Sequence, residues 1–150
     1  MERNGIYKKT ELESRAEIYY DLYAKTINIE AKTMIEMASK QYIPATIKYM
    51  DRLSETINNV KNASNEADTS VIEKLLNETS ILLLEAKQAL DNLKEKVMQA
   101  ETKPDGIKKA MFYRKEVFSI MGALRYPIDK LEVLVDSNLW PVPSYGELMF

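Results

Sequence analysis

The stretch Ser70 to Ala100 limits the possible folds of this chain more than any other. Ile72, Leu76, Thr79, Leu83, Ala86, Leu90, Leu93, Val97 and Ala100 follow one another at alternating steps of four and three. That spacing keeps one seam of an α-helix turned toward partner helices. A helix cannot bury such a seam by itself, so the flanking segments must supply the facing surfaces. Ser70 and Glu73 stand at the spacing of a capping box, in which each side chain satisfies an orphan backbone N–H at the helix entrance. A helix is therefore predicted over 70–101.

The flanks carry the same period. Residues 1–9 have no clear repeat and contain the turn pair Asn4-Gly5, which predicts an irregular lead-in; the opening reads as though cut from a longer polypeptide. Thr10 and Glu13 repeat the capping-box spacing and start the first helix. Its apolar residues lie on more than one face, with Leu12, Tyr19, Leu22 and Ile29 on one and Tyr20, Tyr23, Ile27 and Met34 near another. A helix apolar over so wide an arc is covered on more than one side, or has tyrosines at its edge with wet hydroxyls. Pro44 interrupts a pattern that resumes through Met50, Leu53, Ile57 and Val60; its ring clashes with the Lys40 carbonyl, so one kinked or briefly broken helix is expected over 10–61. Asn62 to Asp68 forms a loop, and Lys103-Pro104-Asp105-Gly106 reverses the chain. Ile107, Ala110, Val117, Met121, Leu124, Ile128, Leu131 and Val135 then give a third helix over 105–136, with Arg114 in one stripe position and a bend at Pro127. Pro141 and Pro143 force extended backbone, so 137–150 is expected to be an aromatic tail, docked on its own bundle at least as far as Trp140. The fold class is thus all-α: a single domain made of an antiparallel three-helix bundle with long, proline-kinked helices and an extended C-terminal tail.

Composition narrows the chemistry. The 150 residues include no cysteine, which removes disulfides, thiolate metal sites and cysteine nucleophiles, and no histidine. Without histidine there is no Ser-His-Asp arrangement, no HExxH zinc site and no Glu-x-x-His di-iron bundle. A formal charge of -2 gives no reason to expect nucleic acid or a membrane surface as partner. No phosphate loop, dinucleotide fingerprint or nucleophile elbow is present.

The remaining candidates are surfaces. Glu13, Glu17 and Asp21 stand at helical spacing and read as a solvated face rather than a metal site. Lys108, Lys109, Arg114 and Lys115 form the densest basic cluster, with no phosphate loop before it. Met34, Met37, Met111 and Met121 suit either a pliable groove or a core. The candidate interface consists of Tyr19, Tyr20 and Tyr23 on the first helix and Trp140, Tyr145, Leu148 and Phe150 in the tail. No residue is a catalytic, cofactor-binding or metal candidate.

Four stretches carry a family resemblance: Arg3-Asn4-Gly5-Ile6-Tyr7, Thr10-Glu11-Leu12-Glu13-Ser14-Arg15, Lys25-Thr26-Ile27-Asn28-Ile29-Glu30-Ala31 with Met34, and Leu139-Trp140-Pro141 running to Tyr145-Gly146 and Phe150. Through them the chain resembles the C-terminal region of type III glutamine synthetase, the long-chain form. The resemblance implies a cytoplasmic parent enzyme that joins ammonia to glutamate with ATP and Mg or Mn, in a large homo-oligomer. It also implies that the family's catalytic residues lie upstream, so this chain alone is expected to be no enzyme and to pack against the catalytic body or neighbouring subunits. The alternative is a free-standing helical protein-protein interaction module.

Overall fold

A computed structural model describes residues 2–141, with side chains from Lys9 onward. Among these residues the chain is helical with no strand, and its helices form three rods. The first rod is α1 (Glu2–Met37), a π-helical turn (Ala38–Tyr42) and α2 (Ile43–Ala63). The second is α3 (Ser70–Glu101). The third is α4 (Ile107–Phe112), a second π-helical turn (Tyr113–Val117) and α5 (Phe118–Leu134).

Ion pairs at the two ends fix the directions. Lys61 meets Glu73 next to the first connection, and Lys32 meets Glu101 at the far end, so α3 runs antiparallel to the first rod. Arg52 reaches Asp136 at 3.4 Å and the third rod therefore returns parallel to the first. These pairs are half-exposed, so solvent screens them and each contributes little to stability. The core carries the stability. In α3 the seam residues Ala86, Leu90, Leu93, Val97 and Ala100 are 0–4% exposed, whereas Ile72, Leu76 and Leu83 nearer the α3 start are only half-buried. They meet α2 on one side and the third rod on the other, where Val117, Leu124 and Leu131 are fully enclosed. Burying each leucine contributes about 1.5–3 kcal/mol.

Several local expectations are corrected. The lead-in over 1–9 is helical from Glu2: Asn-Gly marks a turn when glycine takes a positive φ, and of the described glycines only Gly106 does so. Thr10 thus lies inside α1 and not at its start. At α3 the N-cap is Thr69, one residue earlier than the capping box implies; Asp68 Oδ1 accepts the Ser70 N–H at 2.9 Å and Glu73 takes the Thr69 hydroxyl and Lys61 instead. Those bonds hold the Asp68 and Glu73 carboxyls below their ordinary range, through the Ser70 backbone N–H and the Lys61 ammonium respectively.

The interruption at Pro44 takes the form of a wide turn. Pro44 has no N–H for Lys40, and the Ile43 N–H just before it reaches back to the Ala38 carbonyl, which opens the ladder by one residue ahead of the ring. Pro127 lies inside α5, and the π-turn of that rod falls ten residues before it, so the two turns are not a proline pair. In the third stripe, Tyr113 rather than Arg114 is buried between Ala110 and Val117, while Ile107 and Arg114 are exposed. The stretch 137–140 is a tight turn, not extended chain: Leu139 and Trp140 donate backbone N–H groups to the Asp136 carbonyl at 2.9 and 3.1 Å.

Leu93→Ala removes a fully enclosed side chain at the point where all three rods meet, and is expected to cost about 2–5 kcal/mol in urea unfolding. Met98→Ala on the exposed side of the same helix is expected to stay within about 0.5 kcal/mol of wild type.

Candidate docking surface

The outer face of α1 is set by which residues the other rods cover. Ala24, Ile27, Ala31 and Ala38 form its buried line, the small side chains letting α3 and the third rod approach closely. The residues next to that line are left outside. Leu12, Ile18, Tyr19, Leu22 and Ile29 are 62–65% exposed, a stripe of large apolar side chains at helical spacing. Single exposed apolar residues are ordinary, whereas a continuous stripe marks an interaction surface. The tyrosines give it a shaped edge. Tyr19 meets Tyr20 edge-on at 6.0 Å and lies nearly parallel to Tyr23 at 6.5 Å. Tyr20 and Tyr23 are half-buried against α4, where Ala110, Met111 and Arg114 close a pocket of about 250 Å³.

Of the tail candidates, Trp140 is within the described residues. Its indole lies flat on the Tyr42 ring, 5.0 Å between centroids and 18° between planes, and is largely buried. Offset stacking of this kind adds about 0.5–1.5 kcal/mol to the burial itself. Tyr145, Leu148 and Phe150 lie outside the described residues.

Tyr42 as the seat for Trp140 is not legible in the sequence, since the two are distant along the chain and no local pattern links them. Tyr42 also closes one end of a groove of about 470 Å³ between α1 and α5, whose walls include Met34, Met37, Met121 and Leu124. Three of the four methionines noted above thus meet in one place, while Met111 lies by the tyrosines. A second groove of about 530 Å³, between α3 and α5, has exposed Ile81, Tyr126 and Val133 on its walls. A small polar recess joins Asp21, Lys25, Asn28, Glu101, Lys109 and Tyr113, and the Asn28 Oδ1 in it is buried without a partner among the described residues. No three acidic side chains gather closely enough to hold a metal ion among the described residues. The acids Glu13, Glu17 and Asp21 are exposed on α1, and of the basic cluster Lys108 and Lys115 line one recess with Lys103 and Glu116, Arg114 borders the tyrosine pocket and Lys109 is bonded to Asp105 at 3.3 Å. No described helix is long and apolar enough to cross a membrane.

Burial displaces three phenols. Tyr42 is raised above its ordinary 10.0 by desolvation, with the carboxylates of Glu132 and Asp129 adding to it; Tyr49 and Tyr113 are raised likewise, with Asp136 and Glu101 as the neighbouring charges.

Three helical rods around a dry seam, with an exposed apolar stripe on the first, define an all-α helical bundle. Its likeness to known proteins narrows this further. Residues 1–61, the rod that bears the tyrosine face, match the glutamine synthetase C-terminal domain family. Along nearly its whole length the chain is similar to the glutamine synthetase of Butyrivibrio fibrisolvens (33% identical, 99% of the chain), the type-3 glutamine synthetase of Dictyostelium discoideum (30%, 98%) and the glutamine synthetase of Bacteroides fragilis (28%, 97%). The chain is similar to the C-terminal part of glutamine synthetases and spans 20–21% of the length of these relatives.

The raised phenols carry a pH signature. A group whose folded pKa lies above its unfolded value contributes stability that is present below the unfolded value and lost as pH rises through the folded one. The urea midpoint is therefore expected to fall once pH passes about 10, and Tyr42→Phe is expected to flatten that fall while leaving the profile at neutral pH close to wild type.

Proposed function

We propose that this chain is a non-catalytic accessory domain of a cytoplasmic, homo-oligomeric glutamine synthetase. The parent enzyme forms glutamine from glutamate and ammonia at the expense of ATP, with Mg or Mn. In this reading the domain acts by packing, and its α1 stripe seats against the catalytic body of the same polypeptide or a neighbouring subunit. The observation that carries it is the coincidence of two features on one rod. The segment that matches the family is the segment whose large apolar side chains no described residue covers. Relatives about five times as long supply ample polypeptide to cover it. Burial of four side chains such as Leu12, Tyr19, Leu22 and Ile29 would give on the order of 6–12 kcal/mol before ordering costs, enough to hold a domain in place.

The test uses the full-length enzyme carrying Tyr19→Asp together with Leu22→Asp. Sedimentation is expected to show loss of the native assembly, and glutamine formation is expected to fall at least tenfold. The same pair in the 150-residue chain is expected to leave the melting temperature within about 2 °C, because both side chains are already in water. Unchanged assembly and activity would reject the packing role, and a free-standing interaction module would then be the better account.

A further inference from the structure

The open stripe of α1 has the spacing of a coiled-coil seam. Leu12, Arg15, Tyr19, Leu22, Thr26 and Ile29 follow one another at alternating steps of three and four, and all six are exposed. That alternation keeps a narrow seam turned toward a single partner helix along its whole length. At ~100° per residue, Leu22, Thr26 and Ile29 lie about 165° round the helix from the buried Ala24, Ile27 and Ala31, so a helix seated on the seam faces away from the rods behind. The first half of the rod also lacks cover. Of residues 9–22 only Ala16 and Tyr20 are half-buried and none is buried, and a helix with so little packed on it has little stability of its own.

The order of residues along the seam selects the occupant, because the seam complements itself when read in reverse. A second copy of α1 laid antiparallel, centred between Tyr20 and Asp21, sets Leu12 opposite Ile29, Tyr19 opposite Leu22 and Arg15 opposite Thr26. Each pairing then occurs twice, as a twofold interface requires. The Thr26 hydroxyl donates to the Leu22 carbonyl at 2.8 Å, which leaves its oxygen able to accept from Arg15 of the second copy. Beside the seam, Lys9 comes opposite Glu30 and Glu11 opposite Lys32, so the flanking charges match at both ends. A parallel copy does neither: it sets Arg15 against Arg15 and one bare first half against the other. The antiparallel copy rests each bare half on the part of the rod that the other bundle supports.

We propose that α1 pairs with α1 of a second copy of this chain as an antiparallel two-stranded coiled coil through Leu12, Tyr19, Leu22 and Ile29. The pairing rests on the packing role proposed above and names its partner, the same face of a neighbouring subunit.

The chain has no cysteine, so orientation can be read by disulfide trapping. When the Leu12→Cys chain and the Ile29→Cys chain are mixed in equal amounts and oxidised, the mixed disulfide dimer is expected as the main product. Leu12→Cys homodimers as the main product, or no disulfide, would overturn the proposal. Sedimentation equilibrium of the 150-residue chain is expected to give a dimer at ~0.5 mM and a monomer in the low-micromolar samples suited to melting curves, as fits so short a seam. Glu30→Lys, which brings like charges together at both ends, is expected to weaken the dimer about fivefold, and adding Lys9→Glu to restore it. A dimer indifferent to both changes would overturn the antiparallel register. A monomer at the higher concentration would overturn self-pairing itself, whereas the packing role is judged separately by assembly of the full-length enzyme carrying Tyr19→Asp with Leu22→Asp.

Discussion

The alanine- and leucine-lined seam of α3 is the contact on which everything else in this domain rests. Both the first and the third rod pack against it, and its alternation of large and small side chains sets how closely they approach. Ala86 and Ala100 admit neighbouring backbone, and Leu90, Leu93 and Val97 fill the space between. The seam is tightest toward the α3 C-terminus, where α1 and α4 also converge, and looser toward Ile72 and Leu76. The ion pairs between rods are solvent-facing and serve to align the rods more than to hold them.

That distribution accounts for the outer surface. The first rod closes the core with Ala24, Ile27, Ala31 and Ala38, with Tyr23, Met34 and Ile35 packed against them. Leu12, Ile18, Tyr19, Leu22 and Ile29 lie outside that contact at 62–65% exposure and are free to meet another surface. The relatives are about five times as long as this chain, and the rest of such a polypeptide is the cover that the proposed role assigns to them.

The sequence conveyed the features that depend on periodicity and obscured those that depend on hydrogen-bond geometry or long-range contact. The α3 seam and the three-rod architecture follow from steps of three and four, which report a helix face directly. The capping sites were misplaced because a Ser/Thr-x-x-Glu spacing recurs by chance inside helices, as at Thr10, and because Thr69 and Asp68 compete for the same entrance as Ser70. Tyr113 was hidden because residues three and four steps beyond Ala110 are equally compatible with the stripe, and an aromatic with a hydroxyl was a less obvious core filler than a shift in pattern. The Tyr42–Trp140 stack joins residues about a hundred positions apart, where no local rule applies. Of the candidate interface, Tyr19 stands on the open stripe, Tyr20 and Tyr23 serve partly as packing, and Trp140 is an anchor turned inward.

The π-helical turn at Ala38–Tyr42 has a consequence for how this rod ages in evolution. A wide turn is an α-helix with one residue too many, absorbed without breaking the rod. Deleting a single residue there would restore ordinary α-helical pairing and leave the faces of the two halves nearly as they are, because the wide turn already takes up the ~100° that one more α-helical residue would add. A one-residue change of length at this joint is therefore absorbed locally, with α2 and the Tyr42 seat kept in register with the stripe, whereas the same change elsewhere in the rod would turn one half against the other.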